Sequence, residues 1–374
     1  MSTRIRLQID ESSNEKNNHR YLRITLTVSK AGLNIIELEG SLSSWLIPVV
    51  VFTAISAFST FTVRNVLFAS GLGHDTGAKC DVGSPAHQTW GPMCTFVMAF
   101  WAPMEGLLGH TFDYFNYFNV TFVPLYLLIL VEANRLRRPL ILSIPMITGI
   151  VLLVLTAGPI MPLYCLAFVL TGAASAQNSN KEIPEFAISR KNAEAITFGV
   201  AVGYVIPSIL LAAYQNIPVF VIWFGIHIYM AMFQMIWRVA RPDTQQMDSK
   251  IIQGLYAVTF VASSVTHIIA VLSRIHDLQE LSTFILPPMS SLEPSTTLSP
   301  TWHMDLTQWD IWLSQIAVMA ASFWFAKDGK ERFRLLMWHI AATLTVGPGA
   351  SVCGALIWRE IRLTKKVTRS LTLR

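Results

Sequence analysis

Apolar runs long enough, or nearly so, to cross a lipid bilayer as helices fall near residues 45–61, 117–131, 139–157, 160–176, 195–214, 217–237, 251–273, 309–326 and 335–358. A further apolar stretch, 93–109, leads straight into the polar-aromatic Asp113-Tyr114-Phe115-Asn116-Tyr117-Phe118-Asn119. Residues 93–131 are too long for one span and hold no basic loop that would support two. They read as a re-entrant stretch that crosses once in total. The pattern predicts an all-α, polytopic integral membrane helical bundle of about eight to nine transmembrane helices, with at least one broken or re-entrant segment.

Charge sets the expected topology. With the N-terminus cytosolic, basic residues collect on the cytosolic side: Arg135, Arg137 and Arg138, then Lys181, Arg190 and Lys191, then Arg238, Arg241 and Lys250, then Lys327, Lys330, Arg332 and Arg334. One violation follows if 335–358 crosses once, because the tail with Arg359, Arg362, Lys365, Lys366, Arg369 and Arg374 would end on the other side. Gly347-Pro348-Gly349 inside that run suggests a broken helix. Three regions result: a polar cytosolic segment 1–44 with an extended patch at 21–28 and no cleavable signal, a transmembrane domain 45–358, and a basic tail 359–374.

Composition agrees with this picture. Of 374 residues, 52% are hydrophobic and only 14% charged, with mean hydropathy +0.47, which excludes an ordinary soluble domain. The 18 prolines and 20 glycines, many within apolar runs, point to helices interrupted around an interior. The net charge of +5 lies largely in loops and tail, so it carries topology and not a nucleic-acid footprint. Four cysteines form no CxxC and no metal-ligand spacing; Cys80 and Cys94 are close enough in sequence to pair if their side is oxidising. The sequon Asn119-Val120-Thr121 sits in apolar sequence and reads as unused.

Candidate chemistry gathers toward the non-cytosolic half. Trp302-His303-Met304-Asp305-Leu306-Thr307-Gln308-Trp309-Asp310-Ile311-Trp312 brings acids to the start of an apolar span, where an ionised carboxylate is costly. Two readings stand: an aromatic belt with a solvated helix cap, or an acid at the mouth of a membrane-embedded pocket. Glu105 lies in apolar surroundings that favour a protonated carboxyl able to give up its proton, or it bonds a backbone carbonyl freed near Pro103. His110 and Asp113 share a helical face at i, i+3. His267 is alone in a helix rich in hydroxyls, as an interhelical hydrogen-bonder or a base. Asp310 and Glu105 lead as acids, with Asp305, Asp113, His110 and His267 supporting.

The sequence lacks DDxxD and DxDD runs, histidine clusters, GxSxG, HExxH and any phosphate-cradling loop. That leaves side-chain acid–base chemistry in an apolar cavity, or no chemistry.

The 93–126 stretch with Glu105, the Gly158-Pro159-Ile160-Met161-Pro162-Leu163-Tyr164 break, the helix leading to His267 and the Gln308-Trp309-Asp310 start of a late span together resemble the integral-membrane terpene cyclases of fungal meroterpenoid pathways, in the longer AscI/MacJ-type group. The resemblance implies an isomerase of secondary metabolism that needs neither metal nor cofactor. A carboxyl protonates the terminal epoxide or alkene of a farnesyl-type chain on an aromatic or polyketide core, rings close through cations, and a base takes the last proton. It also implies a hydrophobic prenylated small-molecule substrate, the bilayer as surroundings, residence in the endoplasmic reticulum membrane, and no nucleic-acid partner. The alternative from another class is a multi-pass transporter or efflux protein of a biosynthetic cluster. Oligomeric state, substrate identity and ring stereochemistry stay open.

Overall fold

The computed structural model describes residues 4–14, 19–29, 33–69, 110–136, 138–175, 187–242, 247–289 and 302–372. Glu105 and the Cys80/Cys94 pair lie outside the described residues. The chain opens on a three-stranded antiparallel sheet in the order β1 (Arg4–Asn14), β2 (His19–Ser29), β3 (Leu33–Ser41), with a register shift at Leu26/Thr27. The sheet is confined to the polar N-terminal segment, and the body of the protein is all-helical, as the apolar pattern predicts. From Leu42 onward every long described element is a helix.

The helices are α1 (Leu42–Ala69), α2 (His110–Ala133), α3 (Pro145–Leu155), α4 (Ala157–Leu170), α5 (Arg190–Tyr214, with a π-helical stretch at Ala201–Val205), α6 (Ile217–Phe224), α7 (Ile226–Ala240), α8 (Lys250–Leu272), α9 (Leu278–Ile285), α10 (Trp302–Ser322), α11 (Gly329–Val346) and α12 (Pro348–Thr372). Among the described residues four are long and apolar enough to cross a bilayer, within α1, α2, α5 and α8. A fifth crossing results if α6 and α7, bent by 58° at Gly225, count as one. Side chains such as Val239, Val258, Leu278 and Leu344 stand exposed around the bundle, as a lipid-facing surface requires. The protein is a helical membrane protein.

Two pairs of helices fold back on themselves, where the apolar pattern alone reads straight spans. In the first, α3 and α4 have 11 and 14 residues, about 16 and 21 Å at the α-helical rise, short of a hydrocarbon core of about 30 Å. Pro145, Met146 and Gly149 lie against Ile129 and Leu130 near the end of α2. At the other end of the pair, the Ala173 carbonyl just past α4 accepts from Arg359, which also reaches Glu132 near the end of α2. Both ends of the α3–α4 pair are therefore at the same end of the bundle, and its tip, Thr156, lies inside.

The second is a correction to a single span at 335–358. Glu331 meets Arg362, the Trp338 indole donates to the Ser351 carbonyl, and His339 meets Ser351, so α11 and α12 run antiparallel. The turn is at Gly347, whose φ of 91° is the left-handed conformation that glycine adopts without penalty. Pro348 then opens α12, where a missing N–H costs nothing. The hairpin returns Arg359 and Arg362 to the end that holds Lys327, Lys330, Arg332 and Arg334, which removes the topological violation.

That basic end is locked by a buried ion cluster. Glu132 Oε1 accepts from Arg135 Nε at 2.6 Å and Arg359 Nη1 at 2.7 Å, and its Oε2 from Arg138 at 2.5 Å; Arg135 also bonds Glu360. The Arg359 guanidinium lies over Phe168 and Phe325 at 5.1 and 5.0 Å, a cation–π contact with both rings. The cluster ties α2, α4, α12 and the turn after α10 together.

Removing one partner of such a cluster strands the other charges. Glu132→Gln is expected to lower stability by about 3–5 kcal/mol, read as a lower unfolding midpoint in detergent. An unchanged midpoint contradicts the assignment.

Candidate functional site

Three polar side chains of the first half of α10 reach the ends of two other helices. Gln308 Nε2 donates to the Thr283 and Phe284 carbonyls at 2.6 and 3.0 Å, and the Trp312 indole to the Ile285 carbonyl at 2.7 Å. These are carbonyls that the end of α9 leaves without intrahelical partners. In the opposite sense, Asp310 accepts from Ala157 N at 3.0 Å (Oδ2) and from Gly158 N at 2.6 Å (Oδ1), the first two N–H groups of α4. Donors meet a helix C-terminus and a carboxylate meets an N-terminus, as the helix dipole favours.

The tip held by Asp310 is strained and crowded. Thr156 has φ 66°, rare for a β-branched residue and of the kind that persists where the surroundings impose it. A Cβ at Gly158 would come within 2.4 Å of Ser59 Oγ and 2.9 Å of Asp310 Oδ1, so only glycine lets α1 and α10 close on this turn. Ser56 Oγ donates to the Pro159 carbonyl at 2.8 Å, while the buried Ser59 hydroxyl has no hydrogen-bond partner among the described residues. Asp310 is thus buried at the meeting of α1, α4 and α10.

The other predicted residues divide. Asp305, buried, lies on α10 five residues before Asp310. His267 on α8 is hydrogen-bonded through Nδ1 to the Tyr117 hydroxyl at 3.1 Å and packs on Gly347 at the tip of the second hairpin. Tyr114, Tyr117 and Phe284 form an aromatic cluster with ring centroids 5.2–6.1 Å apart. Asp113 is exposed, 3.7 Å from Arg274, and Arg274 also pairs with Glu280 at 3.3 Å. His110 begins α2, but its side chain and that of His303 lie outside the described residues, as does Glu105. The structure therefore joins His267 to Tyr117 and Asp310 to the α4 tip, with Asp305 buried on the same helix as Asp310 and Asp113 exposed beside Arg274.

The aromatic cluster already holds a cation: the Arg274 guanidinium sits over the Phe284 ring at 3.9 Å. Pro124 in α2 cannot donate to Val120, and Ser263 Oγ reaches that carbonyl at 3.3 Å. Among the described residues no three His, Cys, Asp or Glu side chains are grouped to share an ion. Asn119 of the sequon is buried within α2.

Sequence reasoning missed Thr156, Ser56, Ser59, Arg274 and Glu132. Only Glu132 carried a legible signal, a lone acid ending an apolar run with Arg135 three residues on.

A family model, the CtvD domain, matches residues 92–363, which takes in the first hairpin, most of the second and all six sequence-predicted site residues. The chain belongs to the CtvD domain family. This CtvD chain is similar to the terpene cyclase ascI of Acremonium egyptiacum, 25% identical over 280 residues that cover 64% of this chain and 69% of that protein. The resemblance to membrane terpene cyclases is borne out at this distance. No solved structure matches.

Gly158→Ala is expected to lower the unfolding midpoint, and adding Ser59→Ala to recover part of the loss, because the added methyl meets the Ser59 hydroxyl first. Ser59→Ala alone should be neutral or slightly stabilising, since that hydroxyl is buried without a partner among the described residues. No recovery in the double variant contradicts the crowding.

Proposed function

We propose that the protein is an integral membrane terpene cyclase that protonates the terminal epoxide or alkene of a farnesyl-type chain on an aromatic or polyketide core. The observation that carries this is the placing of Asp310, a carboxyl buried among helices with two backbone N–H groups trained on its oxygens. As the protonated acid it breaks its O–H bond and forms a new O–H or C–H bond on the substrate. The carboxylate left behind is met by donors that need no rearrangement, an oxyanion-hole arrangement. The cation then draws electrons from successive C=C bonds to close rings, and loss of a proton from carbon regenerates an alkene. Substrate and product are isomers.

Support comes also from the surroundings. Tyr114, Tyr117 and Phe284 offer ring faces of the kind that stabilise cations, and the His267 imidazole hydrogen-bonded to Tyr117 is a candidate for the terminating base. Glu105 remains a second candidate acid, and Asp305, Asp113 and His110 supporting groups. Neither metal nor cofactor takes part in this reading. The work is that of fungal secondary metabolism, in the endoplasmic reticulum membrane. Counting α1, α2, α5, the α6–α7 pair, α8, α10, α11 and α12 gives eight crossings among the described residues, with α3–α4 re-entrant and the basic end cytosolic by the positive-inside rule.

A multi-pass transporter of a biosynthetic cluster draws on one specific observation, the α3–α4 hairpin whose tip, Thr156, lies within the bundle. Detergent-solubilised protein separates the readings, because it has no compartment to transport into. Supplied with farnesylated phenols, with and without a terminal epoxide, it is expected to yield products of unchanged mass and fewer double bonds by mass spectrometry and NMR. No conversion by folded protein, together with uptake in sealed vesicles, would move the assignment to transport.

A further inference from the structure

Far from Asp310, at the basic end, the second hairpin leaves a groove of about 350 Å³ lined by Glu331, Arg334, Leu335, Trp338, Ala355 and Trp358 together with Gly354. It lies between the two arms of the hairpin, and α11 is a peripheral helix: Phe333, Leu336, Met337, Ile340 and Leu344 along it are exposed. On the groove's own face Arg334 and Trp338 are exposed as well, so the groove opens at the surface of the bundle. Its floor is apolar because Gly354 has no side chain, and a Cβ there would lie 2.2 Å from the Trp338 indole.

The rim is cationic once its own pairings are counted. Glu331 lines the groove, but its carboxylate is engaged: Oε2 accepts from Arg362 Nη1 at 2.7 Å and from the Lys327 backbone N–H at 2.8 Å, and Lys327 Nζ is 3.9 Å from Oε1. Arg362 is further fixed over the Trp358 ring at 4.5 Å. Arg334 remains beside these, with Lys330 one helical turn before it on the same face. Trp338 stands one turn deeper, its indole N–H already given to the Ser351 carbonyl at 2.9 Å, so only its apolar face is on offer. Basic groups at the headgroup level, with tryptophan faces and a bare glycine below them, form the sequence of surfaces that a phospholipid presents in reverse.

We propose that this groove is a binding site for an anionic glycerophospholipid. Its phosphate and charged headgroup lie against Arg334 and Lys330, and one acyl chain runs along Trp338, Gly354 and Trp358. The site is independent of the cyclase reading, since it shares no residue with the Asp310 region. It engages the two arms of the hairpin whose tip, Gly347, supports His267.

Native mass spectrometry of the full chain released from nanodiscs tests this, with equal phosphatidylglycerol and phosphatidylcholine supplied. Retained lipid is expected to be phosphatidylglycerol by about fivefold or more, the preference expected of one cation near the membrane surface. Arg334→Gln should bring the ratio toward one, Arg334→Lys should keep most of it, and Trp338→Ala should reduce retention of both lipids. Equal retention by the wild type, an unchanged ratio in Arg334→Gln, or a groove covered by a second copy of the chain would overturn the proposal. An Arg334→Gln chain that unfolds is recognised by its far-UV signal; Arg334→Glu and Lys330→Gln then decide, since both should lower the ratio.

Discussion

A carboxylate that holds a helix end open inside a membrane is the constraint on which this structure turns. Backbone polar groups at membrane depth must find partners within the protein, and the turn at Thr156 exposes the first N–H groups of α4 among apolar helices. Asp310 satisfies two of them. The short α3 and α4, the bare Gly158 and the close approach of α1 are all consistent with that one contact. At the opposite end, the cluster of Glu132 with Arg135, Arg138 and Arg359 fixes where the hairpin arms return. One end of the bundle is locked by paired charges and the other is organised by polar side chains on helix ends.

This division gives the site its chemical character. A carboxyl that serves only as a cap needs no aromatic neighbourhood, and an aromatic cluster that serves only as packing needs no buried acid nearby. Here Tyr114 packs on Tyr117 at 6.1 Å between ring centroids, and the Tyr117 hydroxyl is hydrogen-bonded to His267. The acid, the ring faces and the imidazole come from α10, α2 and α8, so the arrangement depends on tertiary packing and not on any local motif.

Much of this was legible in the sequence, for physical reasons that can be named. Apolar runs announce spanning helices because hydrocarbon tolerates little else, and the isolated Asp310, Asp305 and His267 stood out against them. The hairpins were not legible as such: a break at Gly347 or Thr156 looks the same in sequence whether the chain continues or reverses. The basic tail supplied the hint, since only a reversal at Gly347 returns Arg359 to the end that holds Arg135. Thr156 and Arg274 were invisible because their roles come from backbone conformation and from partners distant in sequence. The N-terminal strands were read only as an extended patch at 21–28.

The central claim is that Asp310 both holds the α4 tip and delivers the proton, and one comparison separates the two roles. Asp310→Asn and Gly158→Ala each disturb the tip, but only the first removes an acid. Single-turnover cyclisation by folded, solubilised variants should fall for Asp310→Asn on the order of 10²–10⁴-fold further than for Gly158→Ala, the span of general-acid catalysis. Equal losses in the two variants would reduce Asp310 to a structural cap and contradict the account.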